Sequence, residues 1–148
     1  MKIFGYQLVT DKCDLEGALE VRRRVFIEEQ GIAEDEEYDG QDSTCLHVVV
    51  KDGDKVVGTA RVQFSTANEA KIERMAVLEP LRRKGIGSGI MAFLDGELRN
   101  RQIEKVVLHA QYSVVGFYRS CGYKETGFPF QEAGIKHIKM QRRLDTSL

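Results

Sequence analysis

Three basic residues and two glycines precede a predicted helix, and together they form a candidate anion site. The segment is Arg82, Arg83, Lys84, Gly85, Ile86 and Gly87. Glycine lets backbone N–H groups approach a ligand closely, and the first amides of a helix have no partner inside it. Because these amides also carry the positive end of the helix dipole, phosphate oxygens bind at such positions. The segment therefore predicts a phosphate-binding turn.

The spacing of the glycines separates this turn from two other phosphate-binding motifs. A P-loop needs a lysine directly after its last glycine, whereas Lys84 precedes Gly85. A dinucleotide fingerprint needs a third glycine where this chain has Ile90. The pattern that fits is R-x-x-G-x-G, which begins at Arg82. The alternative is a surface turn with solvated arginines and no ligand.

Hydrophobic periodicity predicts the elements that position the turn. Before the turn, the predicted elements are strand 3–9, a helix to about 28, an acidic loop, and strands 45–51, 55–64 and 72–77. After the turn, they are a helix from 86, strand 106–111, helix 114–121, and strands 123–128 and 135–144 around a loop at 129–134. Gly58 inside its strand predicts a bulge or a close approach. The order favours an α+β fold with a mostly antiparallel sheet, one parallel βαβ step from 72–77 to 106–111, and helices on both faces.

Composition limits the class of protein. The chain has 148 residues, 42% of them hydrophobic and 30% charged, which predicts one domain over residues 1–148. No apolar run has the length of a membrane span, and the N-terminus does not have the pattern of a secretory signal. The three cysteines have no C-x-x-C spacing, so neither a zinc site nor a disulfide framework is indicated. A reducing cytoplasm is the expected setting.

The formal net charge of −1 conceals an asymmetry. Eight of the 23 acidic residues lie within residues 28–42, a segment without Lys or Arg, which leaves 15 acidic against 22 basic residues elsewhere. The bulk of the chain can therefore accept a polyanionic cofactor, while the acidic loop could attract a cation. Nucleic acid is not favoured as a partner, because the acidic segment would repel its phosphates.

The strand, the R-x-x-G-x-G turn and the amphipathic helix resemble the acetyl-CoA pyrophosphate loop of the GNAT superfamily of N-acetyltransferases. The resemblance extends over nearly the whole chain. The segments LEVRRRVFIEEQGI and LHVVV also look like the small bacterial ElaA-like and YjcF-like subgroup. In this superfamily two neighbouring parallel strands splay apart and acetyl-CoA enters between them, which here implies strands 72–77 and 106–111.

The resemblance implies a cofactor site and a reaction. Met75 and Val77 would pair with the pantetheine arm, and residues 82–88 would hold the phosphates. The residues expected to bind the cofactor are Met75, Ala76, Val77, Arg82, Arg83, Lys84, Gly85, Ile86, Gly87, Ser88, Gln111, Phe117 and Tyr118. The implied reaction moves an acetyl group from acetyl-CoA to a primary amine by direct attack in a ternary complex, without a metal.

Tyr118 is the expected proton donor to the departing thiolate. It lies in a segment that matches the F-Y-x-x-x-G-[FY] helix of many GNAT members, where the tyrosine often faces the coenzyme sulfur. A phenol with a pKa of about 10 can protonate a thiolate whose thiol has a pKa of about 8.5. The alternative is a half-buried tyrosine with a purely local partner.

Glu73 is the candidate general base. In a regular strand it alternates in phase with Met75 and Val77, so it would face an apolar side, where a carboxylate has a raised pKa. The alternative is that it faces solvent or pairs with Arg74. Of the other candidates, strand histidines are more often core residues, although His109 could line the acyl pocket, as could Gln111. Cys121 is expected to be a small buried thiol.

The acceptor remains open at this stage. A small-molecule or protein amine fits, and the acidic loop favours a cationic one, but charge alone does not choose among a polyamine, an aminoglycoside, lysine and a protein N-terminus. Two other readings are a non-catalytic acyl-CoA-binding or regulatory module and a plain interaction domain. The sequence does not decide the oligomeric state, and a homodimer stays open.

Overall fold

The computed structural model describes residues 3–145, and this range contains seven strands and four α-helices. In order they are β1 Gly5–Leu8, α1 Lys12–Arg22, α2 Glu34–Glu37, β2 Leu46–Asp52, β3 Lys55–Phe64, β4 Glu69–Val77, α3 Ile86–Asn100, β5 Lys105–Gln111, α4 Val115–Ser120, β6 Lys124–Glu132 and β7 Ile135–Arg143. No helix in this range is long and apolar enough to cross a membrane.

One mixed sheet joins all seven strands in the order β1-β2-β3-β4-β5-β7-β6. Every neighbouring pair is antiparallel except β4 and β5, which run parallel and are connected through α3. The predicted α+β architecture, a mostly antiparallel sheet with one parallel βαβ step, is therefore confirmed.

Helices cover both faces of the sheet, as predicted. Successive strand residues point to opposite faces. On β1 the ring of Tyr6 reaches α3, where its hydroxyl oxygen would lie 2.1 Å from a Cβ added to Gly89. The next residue, Gln7, donates a hydrogen bond from its side-chain amide to Asp14 of α1 at 3.0 Å. Helix α3 and helix α1 therefore pack on opposite sides.

Helix α3 carries the apolar face that its periodicity predicts. Ile86, Ile90, Leu94 and Leu98 are buried, and Phe93 packs against them with part of its ring exposed. On the sheet side, Gly58 of β3 admits this helix, because a Cβ there would lie 3.3 Å from Ile86. Gly58 also borders the predicted bulge, since the pairing of β2 with β3 shifts between Val50 and Lys51.

The first helix differs from its prediction near its end. It does reach residue 29, but α1 ends at Arg22 and continues as a π-helical turn over Arg23–Glu29, in which Gln30 N–H donates to the Val25 carbonyl at 3.1 Å. At this junction the side chain of Arg22 is only 1% exposed. Arg22 is buried because Glu37 and Asp42 supply its ion-pair partners.

The C-terminal hairpin is longer than predicted. Residues 129–134 were expected to form a loop, but β6 continues to Glu132 and turns at Ala133 and Gly134. The pairing of β6 with β7 shifts between Thr126 and Phe130, so Pro129, which has no N–H to donate, lies in the irregular part. Because β6 extends this far, Glu132 lies on a strand and lines the cleft described below.

Candidate active site

A cleft opens where β4 and β5 separate. The two strands pair from Glu69 with Lys105 up to Ile72 with Leu108, and residues 73–77 then diverge from residues 109–111. The cleft has a volume of about 970 Å³ and is lined by both strands, the turn before α3, helix α4 and the π-helical turn. The predicted splay between the parallel strands is therefore present.

A bulge in β4 sets which side chains enter the cleft. Arg74 has a positive φ of 55°, and the pairing with β3 shifts there, from Arg61 with Glu73 to Thr59 with Ala76. The extra residue puts Glu73 out of phase with Val77. The expected apolar setting of Glu73 is therefore wrong, because the prediction assumed a regular strand.

Glu73 lies instead in a network of polar side chains. Its carboxylate accepts a hydrogen bond from the Gln63 amide at 2.5 Å and faces the Arg61 guanidinium at 3.1 Å and the Lys71 ammonium at 3.3 Å. The expected alternative of a pair with Arg74 is not what forms, since Arg74 pairs with Glu37 at 2.9 Å. Glu73 still lines the cleft, with a side chain that is 10% exposed.

Three of the eight acidic residues in segment 28–42 form ion pairs with the buried side chains of Arg22 and Arg61. Glu37 pairs with Arg22 at 2.6 Å, and Asp39 pairs with Arg61 at 2.8 Å. Asp42 also faces both guanidinium groups, at 2.8 and 3.0 Å. The hydrogen bond from Arg61 holds the pKa of Asp39 well below its usual range. These ion pairs fix the loop as one wall of the cleft, while Glu34, Asp35 and Glu36 stay exposed.

The turn before α3 has the features of an anion site. Arg83 and Gly85 both have positive φ values, of 63° and 83°, which bend the chain sharply into the helix. No side chain caps the helix, and its first turn has no acidic residue. Gly89 N–H donates to the Gly85 carbonyl at 2.9 Å, so the preceding amides of residues 86–88 have no partner within the helix.

Arg82 braces this turn against two other elements. Its Nε donates to the Val77 carbonyl at 2.9 Å, and its two terminal nitrogens donate to the Glu29 carboxylate at 2.6 and 2.7 Å. The hydrogen bond from Arg82 lowers the pKa of Glu29. The guanidinium therefore ties the end of β4 and the π-helical turn to the start of the anion site.

Helix α4 forms the wall that adjoins the turn. The Phe117 and Tyr118 rings meet edge to face at 5.0 Å, and the Phe117 ring lies 3.2 Å from where a Cβ on Gly87 would stand. Burial, with a smaller contribution from Cys121, raises the pKa of Tyr118 above its ordinary value. Burial likewise raises the pKa of Cys121, as expected for a thiol that packs rather than reacts.

Comparison with known proteins decides the family. Residues 9–144 match the sequence profile described as Acetyltransferase (GNAT) domain. The chain belongs to the GNAT family of acetyltransferases. It is 35% identical to the uncharacterized N-acetyltransferase YjcF of Bacillus subtilis over 129 residues. The alignment covers 86% of this chain and 91% of YjcF.

Two solved structures share the fold. Escherichia coli ElaA superposes with a TM-score of 0.86 at 27% identity, over 95% of this chain and 99% of ElaA. A GNAT family acetyltransferase from Elizabethkingia anophelis, solved with acetyl-CoA bound, superposes with a TM-score of 0.75 at 16% identity, over 95% of this chain and 98% of that one. The predicted resemblance to the GNAT family and to ElaA and YjcF is confirmed, and the protein is an acyltransferase.

The GNAT cleft brings together nearly all the residues expected to bind acetyl-CoA or to act on it. Those that line it are Glu73, Met75, Ala76, Val77, Arg82, Arg83, Gly85, Ile86, Gly87, Ser88, Gln111, Phe117 and Tyr118. Lys84 is exposed and does not line the cleft. The individual roles of these residues stay predictions.

Sequence reasoning missed a polar group on the β5 side of the GNAT cleft. Glu132 and His137 line the cleft beside His109, and Gln111 donates to the Gln30 side chain at 2.8 Å. Glu132 was missed because its segment was predicted as loop. Treating Ala133 and Gly134 alone as the turn would have placed Glu132 and His137 on adjacent strands.

Proposed function

We propose that this protein transfers an acetyl group from acetyl-CoA to a primary amine by direct attack in a ternary complex. The observation that carries the proposal is the continuity of the cleft. The split between β4 and β5 leads directly to the uncapped N-terminus of α3, with Tyr118 on the adjoining wall. A long ligand with a diphosphate at one end and a reactive sulfur at the other fits this arrangement.

The residues present fit acetyl-CoA. The unpartnered first-turn amides of α3 and the exposed cation Arg83 suit a diphosphate, and the free edge of β4 at Met75 and Val77 suits an extended amide chain. When bound, acetyl-CoA supplies an activated acetyl thioester. The acetyl-CoA found in the Elizabethkingia anophelis homologue supports the same ligand for this cleft.

Tyr118 serves as the proton donor in this mechanism. A phenol is protonated at neutral pH, and Tyr118 lines the cleft, so it can give a proton to the sulfur as the C–S bond breaks. Backbone N–H groups in residues 75–77 can stabilise the oxygen of the thioester carbonyl as it gains negative charge. Because the bulge at Arg74 reorients the backbone of β4, it sets where these amides point.

The experiment that tests the proposal measures thiol release. Wild-type protein is incubated with acetyl-CoA and a panel comprising spermidine, an aminoglycoside, lysine and a peptide with a free N-terminus. Amine-dependent thiol release, with the acetylated amine found by mass spectrometry, supports the proposal. Tight acetyl-CoA binding without release for any amine would favour the non-catalytic acyl-CoA-binding module instead.

A further inference from the structure

Two histidines and a glutamate form a connected group on the β5 side of the cleft. The His109 Nδ1 lies 3.0 Å from Glu132 Oε1, and the His137 Nε2 lies 3.7 Å from Glu132 Oε2. All three residues line the cleft. The Phe130 ring meets His109 edge to face at 5.0 Å and stacks on His137 at 6.0 Å, so packing fixes both imidazoles.

The hydrogen-bond partners decide which nitrogen of each ring carries a proton. An ionised carboxylate only accepts hydrogen bonds, so the short contact to Glu132 makes His109 Nδ1 the donor. The Nε2 of a neutral His109 is then a free proton acceptor. His137 Nδ1 lies 2.7 Å from the Ile135 carbonyl, which also only accepts, so this nitrogen donates too. The hydrogen bond from His109 lowers the pKa of Glu132, which keeps it ionised.

His109 stands at the point where the strands separate. Leu108 forms the last pair with Ile72, so His109 and Glu73 are the first residues beyond it on their strands. Residues in register on parallel neighbours share a face of the sheet, so both side chains lie on the same side of the split. An amine that reaches this point meets the imidazole on one strand and the carboxylate on the other.

Of these two groups, His109 is the freer to accept a proton. The Glu73 carboxylate already accepts from Gln63 and faces Arg61 and Lys71. Donors of the protein therefore already occupy both of its oxygens. Among the described residues, the His109 ring contacts a charged group, Glu132, through Nδ1. Its Nε2 is not used in this contact, and 27% of the side chain is exposed.

We propose that His109 is the general base that deprotonates the acceptor amine and that Glu132 positions it, an inference that rests on the proposed acetyltransferase function. The arrangement is a carboxylate–imidazole pair, in which the carboxylate fixes the ring and stabilises the imidazolium. His137 packs beyond Glu132, with its Nε2 3.7 Å from the far carboxylate oxygen. Glu132 is a positioning residue, since it acts through His109.

The proposed step balances in protons and electrons. The acceptor arrives as an ammonium, and His109 Nε2 takes one proton, which frees the nitrogen lone pair. That pair forms the new N–C bond with the thioester carbon, and the C–S electron pair leaves with sulfur. Tyr118 protonates the sulfur, and the nitrogen loses its second proton, which restores the phenol through solvent. The imidazolium then releases its proton to water, so the reaction yields amide, thiol and one proton.

The charged groups around His109 come from three strands. Glu132 faces it from β6, and Lys139 is its cross-strand partner on β7, where His137 lies beyond Glu132. From β4, Lys71 acts on the Glu132 carboxylate, and Glu73 lies on the same side of the split as His109. Replacing Glu132 by glutamine therefore changes the charge beside His109. The substitution leaves Tyr118, the proposed proton donor to the sulfur, unchanged. A pH profile separates this role from a purely structural one.

The test compares three single substitutions in the full chain: His109→Gln, Glu132→Gln and Glu125→Gln. Glu125 is the matched control, because it lies on β6 like Glu132 and its carboxylate is also ion-paired, in this case with Arg119. Glu125 does not line the cleft. Thiol release is followed from pH 5.5 to 10 with the best amine of the panel, and acetyl-CoA affinity is measured by calorimetry.

For His109→Gln we expect kcat to fall by about 10²–10⁴-fold with unchanged acetyl-CoA affinity. The residual rate should rise steadily with pH, because only free amine then reacts.

Glu132→Gln should lower kcat more than it changes KM and shift the acid limb of the profile, whereas Glu125→Gln should match wild type. A His109→Gln variant with wild-type kcat and profile would overturn the base assignment and leave the acetyltransferase proposal standing. A wild type that acetylates no amine would overturn both.

Discussion

The Arg61 guanidinium lies 3.1 Å from the Glu73 carboxylate and has no exposed surface. The pair joins β3 to β4 directly before the bulge, and Arg61 also binds Asp39 and Asp42 of the acidic loop. One buried cation therefore holds together the strand that would bind the cofactor and the loop that covers the cleft. This relationship favours a structural role for Glu73.

Glu73→Gln should therefore affect stability more than catalysis. The amide keeps the shape of the side chain but leaves Arg61 and Lys71 with one anion fewer, so we expect the free energy of unfolding to fall by about 1–3 kcal/mol. The loss in kcat should be far smaller than the roughly 10²–10⁴-fold that removal of a general base causes. Urea unfolding and thiol-release assays on the same preparation check both. A loss in kcat of that full size would restore Glu73 as the base.

Acid should weaken the attachment of the acidic loop through Asp39. Its pKa is lowered in the folded protein by the hydrogen bond from Arg61, so its ionised form stabilises the fold above the unfolded pKa of about 3.9. That contribution is lost as the pH falls from about 3.9 towards the lower folded value. Asp39→Asn should flatten the fall in unfolding free energy over this window, measured by urea unfolding.

The exposed Asp35 of helix α2 provides the control for this experiment. Asp35→Asn should leave the acid dependence as it is in wild type, since Asp35 has no ion pair with Arg61. Identical pH dependence in wild type and Asp39→Asn would show that the pair with Arg61 contributes nothing in solution.

Gly87 tests the proposed diphosphate site. A leucine there would press on the Phe117 ring, which lies 3.2 Å from the added Cβ, and would fill the approach to the first-turn amides of α3. We expect the Kd for acetyl-CoA to rise by at least about tenfold, equivalent to about 1.4 kcal/mol. Calorimetry measures this directly.

Gly96 is the matched control on the same helix, because nothing lies within 4 Å of a Cβ added there. Gly96→Leu should bind acetyl-CoA as wild type does and should be slightly more stable, by about 0.5–1 kcal/mol, since glycine is a poor helix former. Equal affinities in the two variants would contradict the placement of the diphosphate at the start of α3.

Tyr118→Phe should separate catalysis from binding. The ring stays and the proton donor is lost, so kcat should fall by about 10²-fold with acetyl-CoA affinity unchanged. Because burial raises the pKa of Tyr118, the wild-type rate should show no loss through phenol ionisation near pH 10. Tyr112→Phe is the control, since Tyr112 stacks on Lys136 outside the cleft lining. A fully active Tyr118→Phe would remove the proton-donor role.

Features written in a local pattern were predictable from the sequence. The apolar repeat of α3, the turn at Gly53 and Asp54, and the irregularity at Gly58 all depend on neighbouring residues. The R-x-x-G-x-G turn is likewise local, so its place at the start of a helix could be predicted. The parallel pairing of β4 with β5 followed from the rule that a βαβ step is parallel. The position of β7 between β5 and β6 was not part of the prediction.

Features that depend on distant partners were not predictable. Arg22 is buried because Glu37, 15 residues away, neutralises it, and no local pattern shows this pairing. The bulge in β4 lies at Arg74 and not at a glycine, so no residue in the sequence signals it. A prediction that assumes a regular strand therefore assigns the wrong orientation to Glu73. The contact between His109 and Glu132 joins residues 23 positions apart, and it depends on how far β6 extends past Pro129.

The central claim is that the cleft between β4 and β5 holds acetyl-CoA with its diphosphate on the first turn of α3 and its sulfur at Tyr118. A crystal structure of the complex with coenzyme A tests it most directly. The account predicts diphosphate oxygens within hydrogen-bond distance of the amides of Ile86, Gly87 and Ser88, and the sulfur beside the Tyr118 hydroxyl. A diphosphate bound elsewhere, or a cleft without coenzyme A at saturating concentration, would contradict it.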